Sequence, residues 1–374
     1  MSNVVQEDGQ GLPRQGVWLA APRPRADAAR VGVALLLAVL VAACRDSANS
    51  GAAVLSLRSF EDAFAFTDSM VLEQPYDYPI VNPVGFDVNA DGHMVLADAG
   101  EAHLELFDPT GRLVRVIGRR GEGPGEFKNP RAPTFDEHGR IHVVDPNLQR
   151  IYTFDQAGAL LRETPTPEGL LVIDLEWVDD GYVLASKSWD GTAKGPVLSL
   201  IDTLGAIRWQ ALPIEGVYPD GTESPRWRTI SGYHVARTPT EAIVSSALAD
   251  SVWTVDLRTG RVLSSRAITV PGYEAPALPE DELRGMEELT KWASAQMRAA
   301  TIEGDGELLV VPFNRGRYWT DNERGLAAVR APNSEWLAIA GMPVVFRSRG
   351  RRVFTLQRPD LERIVIGVFE WREN

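Results

Sequence analysis

Residues 94–117 read MVLADAGEAHLELFDPTGRLVRVI, and residues 141–164 read IHVVDPNLQRIYTFDQAGALLRET. Laid over one another, they share an apolar run ending in Asp (Met94–Asp98, Ile141–Asp145) and a second such run (Leu104–Asp108, Ile151–Asp155). A Gly follows three residues later (Gly111, Gly158), and apolar residues then resume. Short runs rich in Val, Ile, Leu and Tyr, bounded by turn formers, read as strands. Asp at the first position of a turn and Gly at the fourth fit a type I turn, so the second run and the one after it form a hairpin.

The first run recurs at Tyr182–Ser186, Ala242–Ser246, Leu308–Pro312 and Val353–Gln357, with starts 47, 41, 60, 66 and 45 residues apart. The second recurs at Leu198–Asp202, Val252–Asp256, Leu326–Arg330 and Ile364–Phe369. Three of the gaps match the roughly 40–50 residues of a propeller blade. The fold predicted is therefore all-β: a six-bladed β-propeller of four-stranded antiparallel blades over residues 59–374. The last blade runs out of chain, because only three residues follow Trp371, while Phe64–Glu73 is a spare strand upstream of the first repeat. Supplying the missing outer strand from the N-terminus would close the ring and remove an open edge. Two insertions, 213–228 and 272–297, account for the long gaps. In the second, Pro279-Glu280-Asp281-Glu282 precedes Leu283, Met286, Leu289, Ala293 and Met297 at helical spacing. That pattern predicts a helix over 279–297, either packed on the rim or lying over a ligand site as a lid.

The 374-residue chain carries a net charge of −13. Nucleic-acid binding needs an excess of Lys and Arg, and adsorption to anionic lipid needs the same, so neither is expected. Cys44 is the single cysteine, which excludes an intrachain disulfide and a cysteine-based metal cluster. It follows Val31–Ala43, VGVALLLAVLVAA, with Arg23, Arg25 and Arg30 ahead of it. As a helix those thirteen residues reach ~20 Å, short of a bilayer's hydrocarbon core of about 30 Å. A basic segment followed by a short apolar one ending in small residues is a secretory signal.

Leu40-Val41-Ala42-Ala43-Cys44 resembles the lipobox of bacterial lipoproteins. The resemblance implies removal of residues 1–43 and a lipid on Cys44. Residues 44–58 would then be a flexible tether, rich in Ser, Ala and Gly. Arg45, where aspartate would signal inner-membrane retention, favours the outer membrane facing the periplasm. Val116–Asp155 in turn resembles an NHL repeat, most specifically over Gly121–Pro130, GEGPGEFKNP. Together the two resemblances point to the bacterial six-bladed NHL-type propeller lipoproteins. They imply fold and location but little chemistry, since the architecture serves binding proteins, lyases and lactonases alike.

Candidate sites are sparse. Asp87-Val-Asn89-Ala-Asp91-Gly92, with Asp98 at the twelfth position, partly satisfies a calcium-loop pattern. Phe135–Gly139 holds the same place in the second repeat, so the stretch reads first as a hairpin turn and calcium on Asp87, Asn89 and Asp91 is the alternative. His138 and His142 lie about 13 Å apart along a strand, too far to share one zinc. His93, His103 and His234 could meet across blades. No Gly-x-Ser-x-Gly elbow is present.

The binding face is expected where blade-to-blade linkers and second-to-third-strand loops gather. Those segments carry Arg119, Arg120, Arg131, Trp189, Arg226, Trp227, Arg228, Phe313, Arg315, Tyr318 and Trp319. Arg with Trp and Tyr is the composition of binding hot spots. Turns such as Thr110 and Gln156 belong to the opposite face. The function expected is a lipid-anchored binding or scaffolding module for an envelope protein, glycan or anionic ligand. The rival is a propeller enzyme of the lyase or lactonase kind, with a metal in the central channel.

Overall fold

Each Asp-x-x-Gly turn closes through both groups of its aspartate. The Asp108 carbonyl accepts from Gly111 N at 3.0 Å, and its carboxylate takes the N–H groups of Thr110 and Arg112 at 2.9 and 3.1 Å. Asp202 repeats the arrangement with Gly205, Leu204 and Ala206. Gly111 has φ +87°, and a Cβ there would meet the Val71 carbonyl oxygen at 2.4 Å, so conformation and space both demand glycine.

These hairpins assemble into a ring. The computed structural model describes residues 54–188, 196–213, 232–246, 251–274, 288, 291–292, 298–299, 302–304, 307–314, 324–331, 334–358 and 363–373. The chain opens with β1 (Leu57–Ser59), the short helix α1 (Phe60–Ala63) and β2 (Phe64–Leu72). Blade one is β3 (Pro83–Val88), β4 (Met94–Asp98), β5 (His103–Phe107) and β6 (Leu113–Ile117). Blade two is β7 (Arg131–Phe135), β8 (Ile141–Asp145), β9 (Arg150–Phe154) and β10 (Leu160–Pro165). Blade three is β11 (Leu170–Val178), β12 (Gly181–Ser188), β13 (Pro196–Asp202) and β14 (Ile207–Pro213), and blade four is β15 (Tyr233–Arg237), β16 (Glu241–Ser246), β17 (Ser251–Asp256) and β18 (Val262–Ala267). Blade five holds β19 (Arg298–Ala299), β20 (Leu309–Asn314), β21 (Gly325–Arg330) and β22 (Leu337–Met342). Blade six holds β23 (Val345–Arg349), β24 (Arg352–Gln357) and β25 (Ile364–Trp371).

Middle strands are buried on both faces: every residue of β4, β5 and β8 is buried. That is why they read as continuous apolar runs rather than alternating ones. The cores lie between neighbouring blades. Leu96 and Phe107 pack with Phe346 and Leu356 between blades one and six, and Val143 and Tyr152 pack with Leu104 and Phe127 between one and two.

The N-terminal segment closes the ring as expected. β2 pairs antiparallel with β25, from Phe64 opposite Trp371 to Leu72 opposite Ile364, giving the last blade its fourth strand. Phe64 meets the Trp371 ring edge-on at 5.3 Å, Phe60 stacks on Phe64 at 5.0 Å, and the Arg58 guanidinium lies over Trp371 at 5.5 Å. β1 adds a feature the repeats do not announce. It runs parallel to β22 and so covers the outer edge of blade five. The folded part therefore starts earlier than residue 59: Leu55 is already in the core between blades four and five, and donates to the Thr269 carbonyl at 3.2 Å. Helix α1 begins at Ser59, whose hydroxyl caps Asp62 N at 3.1 Å. The helix predicted over 279–297 falls, but for three positions, outside the described residues. No helix among the described residues is long and apolar enough to cross a membrane.

Deleting residues 54–72 would bare the edges of β22 and β25 and open the cores around them. The truncated chain is expected to aggregate or lose its cooperative melt, as read by circular dichroism. A melt like that of the full chain would show the latch to be dispensable.

Candidate functional site

In each blade the first strand lines the axis and the fourth lies outermost. Turns joining strands one to two and three to four open on one face, here the hairpin face. The remaining loops and the blade linkers open on the other, the crossover face.

Charged side chains on inner strands can meet only at the axis, and four do. Arg347 of β23 is 7% exposed, with Nε 2.9 Å from Asp87 of β3. It donates twice to Glu176 of β11, at 2.7 and 3.2 Å, and lies 3.6 Å from Glu303 in blade five. One guanidinium thus ties together blades one, three, five and six. Burial works against its charge, but Asp87, Glu176 and Glu303 outweigh that and push its pKa well above the usual arginine value. Burial likewise raises the Glu176 carboxyl, opposed by Arg347. Asp87 also accepts from Phe135 N at 2.8 Å, which joins blade two to the cluster. Two further arginines end inner strands beside it. Arg349 bonds the Val88 carbonyl and lies 3.7 Å from Asp87, while Arg237 of β15 acts on Glu176 electrostatically.

A cleft of about 1020 Å³ opens on the hairpin face above this cluster. Arg237 and Arg349 line it beside the axis with Glu307 near Gly350, Val88 and Phe135 line it from blades one and two, and Gln156 in the outer turn of blade two and Asp68 of β2 lie at its edges. That volume is at the upper end of the range for ligand clefts, roughly 300–1,000 Å³.

The residues nominated from sequence are placed as follows. Asp87 serves Arg347. The Asn89 carboxamide accepts from Asp91 N and His93 N at 3.0 and 2.9 Å, as Asp136 does in blade two from His138 N and Arg140 N. Asp98 takes four backbone N–H groups, those of Val81, Asn82, Gly100 and Glu101, and pins the incoming linker to the loop after β4. Asp145 does the same in blade two. The calcium-loop residues are thus a turn, a clamp and an ion pair that do not converge. No cluster of three or more His, Cys, Asp or Glu suited to a metal occurs among the described residues.

The histidines do not meet either. His103 bonds Glu105 at 3.1 Å within β5, and His234 lies 3.3 Å from Asp174. His142 is the centre of a buried chain. It is 1% exposed, bonds Asp136, Thr153 and Tyr182 at 3.1 Å each, and stacks on Trp177 with centroids 4.5 Å apart. Burial lowers its pKa against the pull of Asp136. Burial also raises the Asp136 carboxyl, but hydrogen bonds from His142 and Arg140 outweigh this and hold it well below the carboxylate range.

On the crossover face, Arg119 is paired with Glu126 at 2.8 Å and Arg120 donates to the Gly100 carbonyl at 2.5 Å. Arg131 begins β7 at the channel mouth, and burial lowers its pKa against the pull of Asp145. Phe313 is not a surface residue. It is fully buried between blades four and five, 4.8 Å from the Tyr273 ring, because β20 runs one residue past the expected loop start. Cys44, Trp189, Arg226, Trp227, Arg228, Arg315, Tyr318 and Trp319 lie outside the described residues. Sequence reasoning missed Arg347, Glu176, Glu303 and Arg237. The available signal was a charge inside a strand that is otherwise apolar, as in Leu175-Glu176-Trp177-Val178.

The family DUF5128, described as a 6-bladed beta-propeller, matches residues 60–180. A member of the DUF4221 family from Bacteroides vulgatus shares 13% identity at a TM-score of 0.61, covering 83% of this chain and 98% of its own. A protein from Bacteroides fragilis named as exported shares 12% at 0.57, covering 84% and 97%. A virginiamycin B lyase from Staphylococcus aureus superposes less well, at 0.47 with 11% identity over 82% and 93%. No curated protein matches the sequence. The chain is a six-bladed β-propeller, and at such identities the likeness speaks for fold alone.

Arg347→Met strands three buried carboxylates around a gap. It is expected to cost about 3–5 kcal/mol of unfolding free energy in urea titration, the usual cost of halving a buried ion pair. His142 predicts a pH effect of fixed sign. Its folded-state pKa lies below the 6.5 of the unfolded chain, so its contribution is complete above 6.5 and is lost as pH falls through that value. The raised Glu105 and Glu176 carboxyls act in the opposite sense, so the readout is a difference. The stability gap between wild type and His142→Gln should narrow from pH 7 to pH 5. A gap that widens would contradict the assignment.

Proposed function

We propose that this chain is an envelope-tethered ligand-binding propeller: an NHL-type lipoprotein anchored through Cys44, held at the outer membrane facing the periplasm, whose ligand enters the hairpin-face cleft. The cleft carries the reading. Its volume of about 1020 Å³ suits a drug-sized or short oligomeric ligand, and Arg237 and Arg349 stand at its inner end. The signal segment, the lipobox-like Leu40–Cys44 and a fold shared with a Bacteroides protein named as exported support the location.

A metal-dependent lyase or lactonase fits less well. The inner-strand carboxylates that would hold an axial metal surround a guanidinium instead, and a cation cannot share that position. His142 with Asp136 and Thr153 has the composition of a relay, but at 1% exposure it meets no substrate. It orders blade two.

Arg131 favours a second reading, with the ligand at the crossover mouth of the channel. Its charge is disfavoured by burial, and beside it lies Lys187, whose pKa is lowered by burial and by Arg131. An anion there would relieve both.

Two measurements test the proposal. Full-length protein made in a two-membrane bacterium should incorporate labelled palmitate and partition into detergent, and Cys44→Ser should do neither. A ligand found by thermal-shift screening should lose affinity in Gln156→Ala and keep it in Arg131→Ala. The reverse pattern would move the ligand to the crossover face.

A further inference from the structure

Resting on the cleft assignment above, the charges along the cleft narrow the ligand's chemistry. At the inner end, Asp87, Glu176 and Glu303 crowd around Arg347, and the axial cluster turns its carboxylates inward. Arg237 and Arg349, at the ends of β15 and β23, form the layer facing the cleft. Arg237 Nε is buried and has no hydrogen-bond partner among the described residues. A buried guanidinium N–H left unbonded costs about 1–3 kcal/mol, so an acceptor placed there is favoured.

Acids also line the cleft toward the rim. Asp68, on the outermost strand of blade six, is exposed and lines the cleft, and Glu370 lines it with Arg352 directly opposite in register. Glu307 also lines the cleft near Gly350, so the two cations at the inner end have one acid close by, and Asp68 at the outer edge accepts from Ser69 N at 2.8 Å. The length of the cleft follows from the blade. Three spacings of ~4.8 Å separate first and fourth strands, about 14 Å in all. An extended tetrapeptide spans about 13–14 Å.

We propose that the cleft binds a short peptide, about four residues long, with its C-terminal carboxylate between Arg237 and Arg349 and its amino group toward Asp68. A carboxylate accepts two parallel N–H bonds from a guanidinium, a geometry that a single arginine holds well and two hold better. Val88 lines the cleft from the neighbouring blade one, with Phe135 of blade two beyond it.

The test uses full-length protein in detergent and isothermal titration with tetra-alanine. Saturable binding is expected, weakened at least tenfold when the peptide ends in an amide and at least fivefold when its amino group is acetylated. Arg237→Gln should cost at least tenfold with the protein still folded by circular dichroism, and Arg131→Ala nothing. If Arg237→Gln does not fold, Arg237→Lys keeps the charge without the fork and should lose at least threefold. Equal affinity for acid and amide, or indifference to Arg237, overturns the proposal. A neutral oligosaccharide that binds in a Gln156-dependent way while tetra-alanine does not would overturn the peptide and leave the binding module standing. If no ligand in the screen depends on Gln156, both readings fall.

Discussion

Six inner strands converge on an axis that must be filled by side chains, and this chain fills it with charge. Arg347 is the element on which that solution depends. A buried guanidinium without partners is prohibitive, and three buried carboxylates without a cation are no better. Each half of the cluster is therefore tolerable only when the ring is complete. Glu176 lies 171 residues before its partner and Asp87 further still, so the contacts exist only after the first and last blades have met. An apolar plug would fill the axis as well, but it would tolerate slippage between blades. A guanidinium with two oxygens at 2.7 and 3.2 Å on one side and a carboxylate at 2.9 Å on another does not.

The same logic of local charge spent on backbone recurs in blades one and two. Asp98 and Asp145 each take four backbone N–H groups, two from the loop after their own strand and two from the linker arriving at the blade. Such linkers have no sheet partners, and their buried N–H groups need acceptors. One carboxylate supplies them and fixes the angle between successive blades. Asp136 works within its blade, holding a turn with one oxygen and His142 with the other.

These roles explain what could be read in advance. Strands, hairpins and ring closure were legible because each is set by residues near one another: an apolar run, an Asp, a Gly three positions on. β2 was legible because a missing strand at one end and a spare at the other is an arithmetic fact of the repeat. The axial cluster was not, because nothing in Gly85-Phe86-Asp87-Val88 or Val345-Phe346-Arg347-Ser348 states which other strand it will face. The calcium-like spacing of Asp87, Asn89 and Asp91 misled for a related reason. The pattern fits a loop that curls around an ion, whereas here Asp87 is still on the strand, pointing to the axis. Phe313 misled by one residue of strand length. Of the crossover-face arginines, Arg119 is spent on Glu126 of its own linker and Arg120 on the Gly100 carbonyl in the β4–β5 loop, which sequence allowed as readily as ligand binding.

The axial cluster also decides what kind of vessel the ring is. An open channel would let one ligand be approached from both faces and would make the two faces chemically continuous. Here Arg347 and its carboxylates occupy the axis, while the inner end of the hairpin-face cleft is formed by Arg237, Arg349 and Glu307. Arg349 stands two residues beyond Arg347 on β23, so the register that Arg347 fixes at the axis also places a charge at the inner end of the cleft.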